Sequence, residues 1–139
     1  MACQNRLPTK DRLSKIGVIT YGLCVYCDQM ETSQHLFFAC AETKRTWMQL
    51  LTWMRIRHIH GEWTEEVNWI CSQTKGKSGR AKLLKLAATE MVYAIWNQRN
   101  KIIFQNGKKE ALRSMDIKEI VVVVSDVLYL VFFVGFVEL

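Results

Sequence analysis

Cys24-Val25-Tyr26-Cys27-Asp28-Gln29-Met30-Glu31-Thr32-Ser33-Gln34-His35-Leu36-Phe37-Phe38-Ala39-Cys40 is the stretch that organises this chain. Its reactive side chains follow the pattern C-x2-C-x7-H-x4-C. Two thiolates separated by two residues can turn inward from one tight turn and grip the same ion. His35 and Cys40 come from the helix that follows, a little more than a turn apart. Three sulfurs and one imidazole nitrogen make a common closed tetrahedral zinc set, which holds structure and leaves no position for a reacting water. Iron–sulfur clusters usually take four cysteines and fit less well. The plain alternative is buried free thiols beside a surface histidine. A lone C-x-x-C leaves that alternative open, and the added H-x4-C disfavours it.

The rest of the composition agrees with a metal site inside the cell. Cys3 and Cys71 complete the set of five cysteines, and neither has a partner at ligand spacing. An odd, clustered set argues for metal rather than for a disulfide framework. Cys71 reads as a buried apolar thiol. Residues Met1 to Lys15 are polar and charged, without the apolar core of a signal peptide. The expectation is an intracellular chain, in nucleus or cytoplasm, with reduced thiols. Half of the 139 residues are apolar, enough for a real core, and seven Gly with one Pro are too few for a linker-rich chain.

Outward from the metal pattern the chain reads as helices. Thr9 caps a short helix with Asp11 in its first turn, Leu13 and Ile16 as its apolar face, and Gly17 as its left-handed terminator. A second helix starts near Thr32 or Ser33. Trp47, Leu50, Leu51 and Met54 fall at i, i+3, i+4 and i+7, the clearest helical stripe in the sequence. Thr64-Glu65-Glu66 opens another helix, with Val67, Ile70 and Cys71 expected inside. Residues 75–80 read as a loop. A long helix then runs from about Arg80 to Gln105, with Ala88, Val92, Ile95, Trp96 and Ile103 as its predicted buried face, and Asn106-Gly107 stops it.

The tail is the open point. Ile120 to Val137 is almost wholly apolar and close to the length of a membrane span. Asp126 lies within it, and an acid near mid-bilayer costs roughly 2.5–3.5 kcal/mol. A buried or partner-facing helix is the better reading. The β-branched run Ile120 to Val124 suits strand as well, but Asp116 can cap a helix and no hairpin signal follows. The predicted fold is therefore mainly α: a small zinc-stapled helical domain followed by longer helices. The divisions are 1–60 for the zinc-binding module, 61–118 for a helical extension and 119–139 for the apolar C-terminal segment.

Charge adds a candidate partner. The formal net charge is +6, which suits a polyanion. Lys10, Arg12 and Lys15 lie on the first helix, Lys44 and Arg45 begin the helix after the metal pattern, and Arg55 and Arg57 end it. Tyr21 and Tyr26 flank the ligands. Cations near aromatics suit single-stranded nucleic acid, where phosphates meet charge and bases stack. A solvated basic surface with packed tyrosines is the alternative. Lys75, Lys77, Arg80, Lys82 and Lys85 form a second cluster with no acid among them. Arg99 and Asn100 could read bases or bond neighbouring backbone. His58 and His60 near a helix end suit carbonyl capping or phosphate contact, and the five tryptophans suit packing. No paired carboxylates, nucleophile–base pair or glycine-rich phosphate loop points to an enzyme.

Leu7-Pro8-Thr9-Lys10-Asp11-Arg12-Leu13, Gly17, Cys24-x2-Cys27, Glu31-Thr32, His35-Leu36-Phe37-Phe38, Cys40 and Trp47 together resemble the reverse-transcriptase zinc-binding domain. That domain lies near the C-terminal end of plant non-LTR (LINE-type) retrotransposon polyproteins and in stand-alone plant proteins derived from them. The resemblance spans about Leu7 to Leu51, with a weaker echo over Ile95 to Phe104. It implies one structural zinc on Cys24, Cys27, His35 and Cys40, and a module that accompanies a polymerase and engages RNA or DNA. Polymerase activity does not carry over, because the chain has no Tyr-x-Asp-Asp pair and is too short for palm and fingers. The alternative is a structural or protein-interaction fragment, or a relic, that needs a missing polymerase neighbour and meets it through the C-terminal apolar segment.

Overall fold

The computed structural model describes residues 7–17, 22–104, 118 and 120–126. Among these, helix dominates and the only extended pairing is one antiparallel bridge, Leu23 to Met30. The elements are α1 (Lys10–Lys15), a π-helical turn (His35–Ala39), α2 (Ala41–Trp53), α3 (Trp63–Gln73) and α4 (Gly79–Phe104).

The short α1 is held from outside. Thr9 sits at the cap position as expected, but its hydroxyl turns to the Asp11 carboxylate and bonds no backbone N–H. The Lys10 N–H instead donates to Glu31 Oε1 at 2.8 Å, and the Asp11 N–H donates to the Glu31 carbonyl at 3.3 Å. Gly17 ends the helix at φ 76°, a backbone conformation open to glycine without a Cβ penalty. Ile16 is 72% exposed, so the predicted apolar face reduces to the half-buried Leu13.

The α2 stripe is as expected: Trp47, Leu50 and Leu51 are buried and Met54 half-buried. The helix closes with the Ile56 N–H donating to the Leu51 carbonyl and the Arg55 N–H to the Thr52 carbonyl. This is a Schellman closure with Arg55, at φ 56°, where glycine is usual. In α3, Glu62 and Glu65 form a capping box. The expected interior face of α3 is corrected: Val67 and Ile70 are only half-buried, Cys71 is exposed, and the one buried residue is Glu66.

Ser78 starts α4, its hydroxyl accepting the Ala81 N–H at 3.1 Å. The buried face of α4 runs through Ala81, Leu84, Ala87, Met91, Ile95, Arg99 and Ile102. Of the face predicted from sequence only Ile95 is fully buried, and Ala88, Val92, Trp96 and Ile103 lie on the half-buried flank. Apolar residues occur nearly all round α4, so periodicity alone does not choose the stripe that turns inward.

The core joins Leu36, Phe37, Phe38, Trp47, Leu50 and Leu51 to Leu84, Ala87, Met91 and Ile95. Two polar ties cross it. Tyr26 donates from its hydroxyl to the Ile95 carbonyl at 2.9 Å, and Arg99 forks onto Glu31 at 2.7 and 3.2 Å with both side chains buried. Residues 120–126 are helical, with Ile120 and Val124 buried, in line with the helix expected there. Asp116 and the rest of the apolar run, 127–137, lie outside the described residues. Among the described residues no helix is long and apolar enough to cross a membrane.

Removing one partner from a buried ion pair strands the other charge. Arg99→Met is expected to cost roughly 3–5 kcal/mol, read from the denaturation midpoint of the zinc-loaded chain. Tyr26→Phe removes a single hydrogen bond and should cost only about 1 kcal/mol.

Candidate metal centre

Local backbone chemistry builds this site in two halves. The first is the turn closed by the Leu23–Met30 bridge. The Cys24 N–H donates to the Gln29 carbonyl and the Glu31 N–H to the Gly22 carbonyl, both at 2.7 Å. That closure folds Cys24 and Cys27 toward one point. The second half begins at Thr32, whose hydroxyl accepts the His35 N–H at 3.0 Å, satisfying a donor that a helix start leaves open.

The turn from His35 is where helix geometry matters most. In an α-helix, residues five apart stand about 140° from each other around the axis. Here the Cys40 N–H donates to the His35 carbonyl at 2.6 Å, an i to i+5 bond that widens the turn and brings residue 40 over residue 35. π-turns of this kind recur at functional sites. Cys40 then leaves the turn in an extended conformation, φ −65° and ψ 133°, and caps α2.

The result gathers all four candidate ligands. One donor atom from each of Cys24, Cys27, His35 and Cys40 lies within 4.8 Å of the others. Cys27 and Cys40 sulfurs stand 3.7 Å apart, and His35 Nε2 lies 3.0 Å from Cys27 Sγ. Two sulfurs each about 2.3 Å from a tetrahedral zinc ion would be about 3.8 Å apart, so the sulfur spacing fits. The imidazole needs to back away by a few tenths of an ångström to share that ion. Cys24 and Cys40 are buried and Cys27 is half-buried, which keeps solvent from competing for the centre.

The thiols are electrically coupled. The Cys24 thiol bonds to Cys40, and this bond holds Cys40 down at about 5 while pushing Cys24 above the ordinary thiol range; burial adds to the rise at Cys24. Burial raises Cys27 as well. Among the three thiols, Cys40 is thus the one favoured as thiolate, and Cys24 and Cys27 are the ones that hold their protons more tightly. A divalent cation offers those two protons' positions a stronger partner.

Residues 1–47 match the family described as zinc-binding in reverse transcriptase. The matched stretch holds every ligand and ends at Trp47, inside α2. The cluster and the match together fit one structural zinc ion. No curated protein and no solved structure matches the chain.

The candidate nucleic-acid residues are not gathered into one site of this kind. Lys15, Lys44, Lys75, Lys77 and Arg80 are exposed. Lys10 donates from Nζ to the Leu23 carbonyl at 2.6 Å, Arg12 is half-buried, and Arg45 pairs with Glu42 at 2.7 Å. Tyr26 is corrected from an exposed stacking candidate to a buried residue whose hydroxyl is spent on α4, and burial pushes its phenol well above the usual range, so it stays a donor. Tyr21 lies outside the described residues. Arg99 faces Glu31 and lies over the Trp96 ring at 4.6 Å, which removes it from base reading, and Asn100 Oδ1 accepts a bond from it at 2.8 Å.

Sequence reasoning missed Glu66. Fully buried, it accepts from Trp47 Nε1 at 2.7 Å and from the Gly61 N–H at 3.1 Å, and it meets His58 Nε2 at 2.8 Å. His58 stacks on Trp69 at 3.6 Å, and His60 Nε2 caps the Phe38 carbonyl at 2.7 Å. The two histidines are thus structural, and His60 does cap a carbonyl as its position suggested. An acid in the first helical turn ordinarily reads as a dipole partner, so no sequence signal distinguished Glu66 from Glu65.

Zinc must displace the Cys24 and Cys27 protons, so affinity falls as pH falls. With two protons released, the apparent dissociation constant should weaken by about a hundredfold per pH unit below neutrality, measured by chelator competition across pH. Cys40→Ser removes the favoured thiolate and should leave well under one equivalent of zinc on the purified chain.

Proposed function

We propose that the chain is a zinc-stabilised, non-catalytic module derived from a retrotransposon reverse transcriptase, and that it binds RNA or DNA. The observation that carries this reading is the family match over residues 1–47 combined with the four ligand residues of that stretch gathered within 4.8 Å. A set of three thiolates and one imidazole fills every position of a tetrahedral ion. The metal therefore acts as a cross-link, and the surface it stabilises does the work.

The charge distribution supports nucleic acid as the partner. The net charge is +6, and exposed cations lie on α1 (Lys15), α2 (Lys44) and the stretch opening α4 (Lys75, Lys77, Arg80). Such side chains neutralise phosphates and release counterions without reading bases. The polarity of the reading is that of backbone recognition, with RNA and single-stranded DNA as the substrates to compare. Such a module works inside the cell, in nucleus or cytoplasm, where its thiols stay reduced. A second reading, a structural piece completed by a polymerase neighbour, is favoured by Val122 and Val123, which are 57% and 40% exposed on the helix of residues 120–126.

Fluorescence anisotropy on labelled RNA and single-stranded DNA tests the proposal across salt. Each phosphate contact to a single strand contributes about −0.7 to the slope of log K against log salt. The triple variant Lys75→Ala, Lys77→Ala, Arg80→Ala should flatten that slope by about 2 and weaken binding throughout. No binding at low salt, or binding indifferent to salt, would refute the nucleic-acid reading.

A further inference from the structure

The five-residue connection from Thr74 to Ser78 returns α4 alongside α3, and the two helices turn matching stripes toward one open side. On α3 and its cap the stripe is Trp63, Val67, Ile70 and Thr74, at i, i+4, i+7 and i+11. On α4 it is Lys85, Ala88, Val92 and Trp96, at i, i+3, i+7 and i+11. Together they wall an apolar groove of about 470 Å³, with Phe37 and Phe38 from the π-turn also lining it. At 1.5 Å per residue each stripe is about 16 Å long, or three helical turns.

None of these eight stripe residues is fully buried, and on α4 the stripe lies on the flank beside the buried face. Trp63, Val67, Ile70, Ala88, Val92 and Trp96 pack against the core from one side and leave their other side uncovered, room for a further packing element. Two such stripes side by side form the seat that a third helix occupies when its ridges enter the grooves of a pair.

We infer that this groove receives an amphipathic helix of about three turns from a partner protein, with acidic residues flanking its apolar stripe. Charge complementarity gives the occupant its sign. Lys85 stands in the groove wall, and the segment leading from Thr74 to it carries Lys75, Lys77, Arg80 and Lys82 with no acid. The two threonines of the walls favour an aliphatic occupant. The Thr74 hydroxyl donates to the Ile70 carbonyl at 2.7 Å and the Thr89 hydroxyl to the Lys85 carbonyl at 2.8 Å. Base edges buried against these two threonines would lose water without gaining either hydroxyl as a donor, a cost that an aliphatic helix face does not incur. The groove shares the cations Lys75, Lys77 and Arg80 with the nucleic-acid reading, but its apolar walls do not enter that reading.

The test titrates the zinc-loaded full chain into a fluorescein-labelled synthetic helix with leucine at i, i+3, i+7 and i+10 and glutamate on both flanks. Two controls carry the same composition in scrambled order, or lysine in place of glutamate. Both controls should bind about tenfold more weakly or worse. Val92→Glu should weaken the acidic peptide by about tenfold while leaving zinc content, helical circular dichroism and RNA affinity unchanged. Should Val92→Glu fold poorly, Thr89→Glu at an exposed wall position gives the same readout. Equal binding of the scrambled peptide overturns the inference. So does no binding at all, the result expected if another part of the chain or a second copy fills the groove. Competition by RNA for the groove, with RNA affinity lost in Val92→Glu, would assign it to nucleic acid instead.

Discussion

Glu31 holds three parts of the chain at one buried residue. Its backbone closes the turn that carries Cys24 and Cys27, its carbonyl and carboxylate take the first two N–H groups of α1, and both carboxylate oxygens receive Arg99 from α4. An ion pair taken out of water recovers its desolvation cost only with good geometry and further hydrogen bonds. The forked Arg99 contact and the Lys10 N–H supply both. Net stabilisation from such a pair is small, but its loss is expensive, so its effect is to fix one arrangement of the metal turn against α4. Tyr26, two residues from Cys24, adds a second fixed point on the same helix.

The metal centre depends on that arrangement from one side and on the π-turn from the other. Zinc in small domains of this kind contributes apparent free energies of about 10–16 kcal/mol. That contribution requires four donors to meet, and an ordinary α-helical turn would have pointed His35 and Cys40 apart. The i to i+5 bond at Cys40 settles the geometry, and the same residue then starts α2, whose Trp47, Leu50 and Leu51 form the centre of the core. Metal site and hydrophobic core are therefore consecutive consequences of one backbone irregularity. Glu66 secures the far side of this core, joining Trp47 of α2 to His58 and the Gly61 backbone.

α4 packs one face into the core and leaves the flank beside that face half-covered. The packed face meets the π-turn, α2 and α3. The flank carries Ala88, Val92 and Trp96 into an open groove beside α3. Cations gather where the chain enters α4, against the preference of a helix N-terminus for negative charge.

The ligand set, the helical class, the α2 stripe, the Gly17 stop and the start of the second helix near Thr32 or Ser33 were all legible in the sequence, because each rests on contacts within a few residues. Spacing alone identified Cys24, Cys27, His35 and Cys40. Other features were decided only by tertiary structure. Sequence period showed that α4 is a long helix but not which stripe faces inward, since apolar residues occur nearly all round it and the choice depends on where the π-turn and α2 stand. Arg99, Tyr26 and Glu66 read as ordinary surface or site residues until their partners, 68, 69 and 19 residues away, came into hydrogen-bond range. Burial of a polar side chain is a property of pairs distant along the chain, and no local pattern encodes it.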